Sequence, residues 1–303
     1  MEINVGLVGH GRWGKRHLET LIQLKKEGHV KHISVCDLDN DQLADLSEHV
    51  DASFTEFEHM IGAKVVNCIA IVTPPSTHLE LASKSVERTI PVFVEKPLSD
   101  HLEHEHEFLK SLNSGDTLVT GFLLRHHEGV RAMKQQLVDG VIGTLRELHY
   151  RRRTKRDRPA GAEAMKTLAI HGFDLSLFFG LKEMAKAAPE VFEHLPDEML
   201  LDTRGAEQKR LVIDVSWNAE SELRELTLIG QNGHLKLTFG SNPEMHLDRS
   251  GLLQKVEFSN INSPLYHEWM FFLEGVKSET PTIYPNVEDL LTLNQWFRDL
   301  NRY

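Results

Sequence analysis

A glycine-rich segment near the start of the chain is the first candidate for chemistry: Gly9, Gly11 and Gly14 follow an apolar run that is typical of a β-strand. In a G-x-G-x-x-G sequence between a strand and a helix, the first glycine permits a tight turn, the second lets the backbone approach a pyrophosphate, and the third lets the helix pack on the strand. The helix N-terminus adds free N–H groups and a favourable dipole. The spacing predicts a dinucleotide-phosphate site that includes Arg12 and Trp13, with a purely structural glycine turn as the alternative.

An acidic residue ends the second predicted strand. Asp37 follows the run HISVC, at a position where a carboxylate can accept hydrogen bonds from ribose hydroxyls and repel a 2′-phosphate. It could instead begin a turn or cap the next helix, a role that Asp39 could also fill. The position favours NAD over NADP.

A rigid turn follows the fourth predicted strand, where Thr73 and Pro74 lead through a second proline to His78. Proline geometry explains the turn by itself. Ligands of open α/β sheets bind at the carboxyl ends of the strands, however. Thr73, Pro74 and His78 are therefore candidate cofactor contacts.

The elements that must position these residues change in kind along the chain. Strand and helix signals alternate through residues 1–120, which predicts a doubly wound parallel sheet. Residues 121–303 instead carry closely spaced strand signals, with a hairpin turn at Gln231-Asn232-Gly233, and predict an α+β domain with a largely antiparallel sheet. The C-terminal helix could pack back on the first domain.

The composition limits the class of protein. A 303-residue chain with 40% hydrophobic and 26% charged residues fits two ordinary domains, and no apolar run approaches the roughly 20 residues that cross a bilayer. The net charge of −11 argues against binding to nucleic acid. Cys36 and Cys68 lie in apolar runs and look like buried side chains. The first residues indicate a strand rather than a signal peptide, so we expect a cytoplasmic protein.

The segment Glu95-Lys96-Pro97 connects these features. A strand that ends in EKP, after a G-x-G-x-x-G start and a TPPSTH turn, resembles the GFO/IDH/MocA family, the glucose-fructose oxidoreductase and inositol dehydrogenase group. The resemblance continues through residues 121–148 and LAIHGFDL, and spans at least residues 3–180. It implies a Rossmann domain followed by an α+β domain with an open sheet, and a homodimer or homotetramer. It also implies a nicotinamide-dependent oxidoreductase that acts on a carbinol carbon of a sugar, polyol or sugar acid.

Carried onto this chain, the resemblance makes Lys96 and His171 the catalytic residues and adds Glu95 to the cofactor contacts. Lys96 would donate a hydrogen bond to the alcohol or carbonyl oxygen, and His171 would exchange the hydroxyl proton. Asp174 follows His171 by one helical turn and would orient the imidazole or bind substrate. We expect the active site where the two domains meet.

One position departs from the family pattern. Thr167 stands four residues before His171, where many relatives carry a catalytic Asp, so it becomes a candidate substrate contact that cannot act as a carboxylate base. This departure motivates an alternative function, a nicotinamide-binding sensor or regulatory protein that has lost turnover. Lyase or hydrolase chemistry that recycles NAD is a third hypothesis.

Two further clusters have competing interpretations. The basic run Arg151–Arg156 is either a solvated face or a site in which Arg153, together with Arg125, holds an anionic substrate such as a sugar acid, a sugar phosphate or a nucleotide-linked sugar. His101 and Glu105 have the spacing of a metal pair, but alternating charge on a surface helix explains them more simply. We expect no metal.

Overall fold

The computed structural model describes residues 2–301, which divide into two compact units. One unit ends at Phe122 and also takes in Leu265–Asn294, and the other consists of Leu123–Pro264 and the chain from Gln295 onward. Among the described residues, no helix is both long enough and apolar enough to cross a membrane.

The strands and α-helices of the described residues are numbered in chain order. The strands are β1 Asn4–Val8, β2 His32–Cys36, β3 Ala52–Phe54, β4 Cys68–Ile71, β5 Val92–Glu95, β6 Leu118–Gly121, β7 Leu145–Arg153, β8 Pro189–His194, β9 Glu198–Arg204, β10 Arg210–Ser216, β11 Leu223–Gly230, β12 His234–Thr238, β13 Glu244–Arg249, β14 Leu252–Val256 and β15 Ile283–Tyr284. The helices are α1 Arg12–Lys26, α2 Asn40–Leu43, α3 Phe57–Gly62, α4 His78–Val86, α5 Leu102–Ser111, α6 Glu128–Val138, α7 Ile170–Phe179, α8 Pro264–Ser278 and α9 Val287–Leu300.

The first unit is built on a parallel sheet with strand order β15-β6-β5-β4-β1-β2-β3. Its central strands are apolar and fully buried, as expected where helices cover both faces. One hydrophobic cluster joins strand side chains to Leu21 and Leu24 of α1 and to Trp269 and Phe272 of α8. Each such burial contributes about 1.5–3 kcal/mol. Residues that lie far apart in the chain therefore share one core.

The second unit is built on a sheet of strand order β14-β13-β12-β11-β7-β10-β9-β8. The β7 and β10 strands pair in parallel, and the remaining neighbours are antiparallel. Along β7 the side chains alternate between the two faces: Tyr150 is buried, whereas Arg151 and Arg153 are exposed. Helix α7 packs on the Tyr150 face, where a Cβ on Gly172 would lie 2.7 Å from the tyrosine ring.

The predicted fold class is confirmed: a doubly wound parallel sheet precedes an α+β unit with a largely antiparallel sheet. The hairpin at Gln231-Asn232-Gly233 is confirmed as well, since it joins the antiparallel strands β11 and β12. Cys36 and Cys68 are both buried and unbridged. Burial raises the pKa of the Cys36 thiol to about 12, so the thiol is unreactive at neutral pH.

The residue types of segment 39–50 are typical of a helix of that length, but only Asn40–Leu43 is helical. Beyond it, Leu46 and Val50 pack against the core of the first unit. Asp51 then accepts hydrogen bonds from Lys25 and from the backbone of Ile33. These tertiary contacts outweigh the weak helix propensity of the segment. Helix α3 and the edge strands β8 and β14 were missed, and the two edge strands carry mostly exposed side chains with no clear alternation.

Candidate functional site

The glycine loop has the local geometry that its spacing predicts. Gly9 has φ +96°, and a Cβ there would lie 2.6 Å from the carbonyl oxygen of Val72. A Cβ on Gly14 would lie 2.1 Å from the carbonyl oxygen of Gly9, whereas a Cβ on Gly11 would meet no atom within 4 Å. Gly9 and Gly14 are thus required by packing, and Gly11 leaves open space at the N-terminus of α1. Arg12 and Trp13 begin that helix.

Asp37 supports this loop from the end of β2. Its Oδ2 accepts a hydrogen bond of 2.6 Å from the backbone N–H of His10, and its Oδ1 accepts one of 3.0 Å from the backbone of Asp39. Asp39 in turn caps α2 through the backbone of Asp41. The turn-forming role weighed from the sequence is therefore present, and ribose binding by the half-buried Asp37 stays a prediction.

His78 connects two turns at the same edge of the sheet. Its Nδ1 lies 2.8 Å from the carbonyl oxygen of Pro97, and its Nε2 lies 2.8 Å from that of Thr73. The ring is 1% exposed, and burial lowers its pKa below the ordinary value although both carbonyl groups oppose this. The residue thus holds the Thr73-Pro74 turn against the EKP turn, and direct cofactor contact by Thr73, Pro74 or His78 stays a prediction.

Glu95 is the centre of a buried hydrogen-bond network. Its Oε1 accepts hydrogen bonds from the indole N–H of Trp13 at 2.6 Å and from Nε2 of His17 at 3.0 Å. The backbone N–H of Lys96 donates to its Oε2 at 3.0 Å. On the far side of the imidazole, Trp269 donates to Nδ1 of His17 at 3.2 Å, which fixes the tautomer that donates to Glu95.

This network fixes both the charge of Glu95 and the place of Lys96. Burial alone would raise the pKa of Glu95, but the hydrogen bond from His17, together with Lys96 and Trp13, holds it below the ordinary value. A carboxylate with three donors is fixed in place. It therefore anchors the turn from which the half-buried Lys96 side chain extends. His17 was not predicted from the sequence, although it is a polar residue one turn beyond Gly14 on the apolar side of α1.

The second unit carries the other predicted residues. His171 is buried on α7, and Asp174 on the same helix accepts a hydrogen bond of 2.8 Å from Nε of Arg125. Both side chains of this ion pair are at least 96% buried. Asp174 and Arg125 thus contact each other directly, and their ion pair holds α7 against the segment Leu123–His126. Substrate contact by either residue stays a prediction.

Thr167 lies on a π-helical turn, Met165–Ala169, that runs directly into α7. Its hydroxyl donates a hydrogen bond of 2.6 Å to the carbonyl oxygen of Glu163, one turn earlier. Insertions of this kind are frequent at functional sites because they re-aim the residues that follow. The turn lies directly before the helix that bears His171.

The remaining predicted residues are Arg153, which forms an ion pair on the surface, and His101 and Glu105, which lie at α5. Arg153 forms a bidentate ion pair with Asp214, at 3.1 Å and 2.6 Å, on the sheet face opposite to Tyr150. His101 is exposed at the start of α5, while Glu105 on the same helix is buried. Among residues 2–301, no group of three or more His, Cys, Asp or Glu side chains could hold a metal ion.

Comparisons with known proteins agree with this architecture. Residues 3–121 match the GFO/IDH/MocA family, described as an oxidoreductase family with an NAD-binding Rossmann fold. Inositol 2-dehydrogenase 3 of Saccharopolyspora erythraea is 26% identical over 250 residues, which cover 78% of this chain and 73% of that protein.

Two solved structures share the fold over nearly the whole chain. UDP-N-acetylglucosamine 3-dehydrogenase from Acidithiobacillus ferrooxidans has a TM-score of 0.82 at 18% identity, with 98% of this chain and 96% of that chain covered. A 3-ketoreductase from Actinomadura kijaniata, in complex with TDP-benzene and NADP, has a TM-score of 0.80 at 16% identity, with 97% and 95% covered.

The glycine loop, the parallel sheet and these similarities define a nicotinamide-dependent oxidoreductase that acts on CH–OH groups. The Rossmann part of the chain, residues 3–121, matches the GFO/IDH/MocA family, which agrees with the resemblance that the sequence motifs predict.

Proposed function

We propose that this protein transfers a hydride between NAD and a carbinol or carbonyl carbon of a sugar, polyol or sugar acid, with Lys96 and His171 acting on the oxygen of that carbon. One observation carries the proposal. The hydrogen bond from Trp13 to Glu95 joins the candidate phosphate cradle to the turn that bears Lys96. The relatives support the substrate class, since one is named for inositol and another for UDP-N-acetylglucosamine.

The glycine loop fits a dinucleotide. The open space over Gly11 and the unpaired N–H groups of the first turn of α1 suit a pyrophosphate. When bound, the nicotinamide accepts or supplies the hydride.

The protein's own residues would handle the proton and the charge. As an alcohol loses hydride, its hydroxyl proton must leave, and an imidazole exchanges protons near neutral pH, which suits His171. The Lys96 ammonium would donate a hydrogen bond to the same oxygen and stabilise developing negative charge. Thr167 cannot ionise as a carboxylate would, so we propose a two-residue machinery in place of a Lys-Asp-His triad.

The first test follows nicotinamide absorbance with NAD and a panel of polyols, sugars, sugar acids, sugar phosphates and nucleotide sugars. We expect turnover with at least one compound, and a loss of about 100-fold or more in kcat for Lys96→Ala, because a removed oxyanion-type donor costs this much. NADH affinity, measured by fluorescence titration, should change far less than kcat.

Lys110→Ala is the matched control, since Lys110 is an exposed lysine on α5 and should retain full activity. Equal kcat in the Lys96→Ala variant would exclude the assigned role. Tight NADH binding by the wild-type protein without turnover on any compound would favour the sensor alternative, and a cofactor that stays bound without net redox change would favour lyase or hydrolase chemistry.

We also propose that NAD is preferred to NADP. Residues 37–41 contain Asp37, Asp39 and Asp41 and no basic residue, and Leu38 is 85% exposed where an arginine would suit a 2′-phosphate. We expect kcat/KM for NAD to exceed that for NADP by about tenfold or more, which corresponds to about 1.4 kcal/mol.

The double variant Asp37→Asn, Leu38→Arg tests this preference. Asparagine keeps an acceptor for the backbone of His10 but removes the charge, so the loop should stay folded while the NAD:NADP ratio of kcat/KM falls about tenfold or more. Glu48→Gln, which removes an exposed charge beyond α2, should leave the ratio unchanged. An unchanged ratio in the double variant would mean that other residues select the cofactor.

Finally, we propose a homodimer or homotetramer, as the family resemblance implies. The sheet face that bears Arg153 and Asp214 offers half-exposed paired charges on which a second copy could pack. A cytoplasmic location stays a prediction from the sequence.

A further inference from the structure

The second unit contains a cavity of about 500 Å³, a size typical of small-molecule sites. It lies on the Tyr150 face of the sheet, between the central strands and the segment Asn260–Pro264. Arg151, Arg152 and Arg224 line it, and none of its lining residues is acidic. In a chain with a net charge of −11, this is an unusual concentration of positive charge.

Two of these arginines lie directly opposite each other. Arg152 of β7 and Arg224 of β11 are cross-strand partners in the antiparallel register. Like charges at such positions destabilise a sheet, and a bound anion would offset the repulsion. The acidic contact of Arg224 is Glu222, at 3.2 Å, and both side chains are partly exposed. The Nε of Arg152 is buried and has no hydrogen-bond partner among the described residues.

The cavity borders the candidate catalytic helix within the same unit. Tyr150, which lines the cavity two residues before Arg152 on the same strand, packs its ring against Gly172, the residue after His171. Leu123 and Leu124 also line it and directly precede Arg125, the partner of Asp174. A ligand in the cavity would therefore lie next to the elements that position His171.

We infer that this cavity binds an anionic substituent of the substrate, a carboxylate or a phosphoryl group, through the paired guanidinium groups of Arg152 and Arg224. Arginine forks match the geometry of both oxyanions. The amides of Asn260 and Asn262 supply neutral donors and acceptors that suit the hydroxyl groups of a sugar. The inference rests on the proposed function and narrows its substrate class from polyols in general to acidic or phosphorylated carbohydrates. It also assigns the anion contact to Arg152, on the opposite face of the sheet, instead of to Arg153.

Binding and turnover test the inference separately. Calorimetry with NADH-loaded protein would compare three anions, glucuronate, glucose 6-phosphate and UDP, with the neutral ligands glucose and myo-inositol. We expect at least one anion to bind more tightly than both neutral ligands, and the anion that binds distinguishes a carboxylate from a phosphoryl group. Arg152→Met and Arg224→Met should each weaken that binding at least tenfold and raise KM for the matching substrate with little change in kcat.

Arg204→Gln is the matched control, because Arg204 of β9 is an exposed arginine paired with Glu190 of β8. Arg224 is itself partly exposed, so its variant should fold even if Arg152→Met does not, as circular dichroism would establish. Anion binding without turnover would support the cavity and count against the proposed redox function. Anion affinity equal in wild type and Arg224→Met, or no anion bound more tightly than glucose, would overturn the inference.

Discussion

At the scale of single residues, two buried carboxyl groups of the first unit, those of Glu95 and Glu105, have pKa values shifted in opposite directions. Glu95 is buried with three hydrogen-bond donors, and its pKa is held below the ordinary value. Glu105 is equally buried, but the hydrogen bonds from Asn294 and the backbone of Ser99 only partly offset burial, which raises its pKa to about 8. The number and charge of the donors, rather than burial itself, decide which carboxylate stays charged.

The raised pKa of Glu105 predicts a pH-dependent stability. In the unfolded chain this carboxyl loses its proton near its ordinary pKa of 4.5, whereas in the folded protein it keeps the proton up to about pH 8. The contribution of Glu105 to folding therefore becomes less favourable as the pH rises through this window. Glu105→Gln removes the titration, so its Tm should exceed that of the wild type at pH 8, with a smaller difference at pH 5.

Calorimetric unfolding across this pH range checks the prediction. Glu107→Gln, an exposed neighbour on α5, should follow the wild type at every pH. A Glu105→Gln curve parallel to the wild-type curve would mean that Glu105 ionises normally in the folded state.

At the scale of elements, two glycines of the turn from β1 to α1 have different roles. Gly14 is required by packing, and Gly11 is required by the proposed phosphate binding. A Cβ on Gly14 would meet the backbone at 2.1 Å, whereas a Cβ on Gly11 would meet nothing within 4 Å. We expect Gly14→Ala to lower the free energy of unfolding by about 1–3 kcal/mol or more, because a backbone clash cannot relax by rotating a side chain.

Gly11→Ala should instead fold normally and weaken NADH binding about tenfold or more, because the methyl group would occupy the space predicted for the pyrophosphate. Urea unfolding and NADH titration of both variants distinguish the two effects. Gly62→Ala, at another open position, should change neither. Unchanged NADH affinity in Gly11→Ala would place the phosphates elsewhere.

The strands and helices also show how much of the fold and of the candidate site could be predicted from the sequence. The strand and helix alternation predicted the parallel sheet, since buried parallel strands are nearly continuous apolar runs, and the closely spaced strand signals predicted the second sheet. The basic run on β7 was ambiguous, because strand neighbours point to opposite faces and the arginines occupy both. Only the tertiary structure shows that Arg153 bonds to Asp214 of β10 and that Arg152 lies opposite Arg224 of β11 in the cavity. The partnership of His17 with Trp269 joins residues 252 positions apart and has no local signal.

At the scale of the whole molecule, the proposed assembly is open to a direct measurement. Light scattering coupled to gel filtration should give a mass of two or four times 34.6 kDa. Reversal of charge at Asp214, the partner of Arg153 on the open sheet face, should shift the population toward smaller species. A wild-type mass of 34.6 kDa at micromolar concentration would exclude the homo-oligomer.

The return of Leu265–Asn294 to the first unit has a consequence for how the protein is made. Trp269 and Phe272 fill the same core as Leu21 and Leu24. A nascent chain of only the first 122 residues therefore lacks part of the hydrophobic core of the first unit. Domains ordinarily fold in the order in which they emerge. Here the first unit can complete its core only after α8 has left the ribosome. A chain truncated before Leu265 should therefore expose an apolar surface and aggregate.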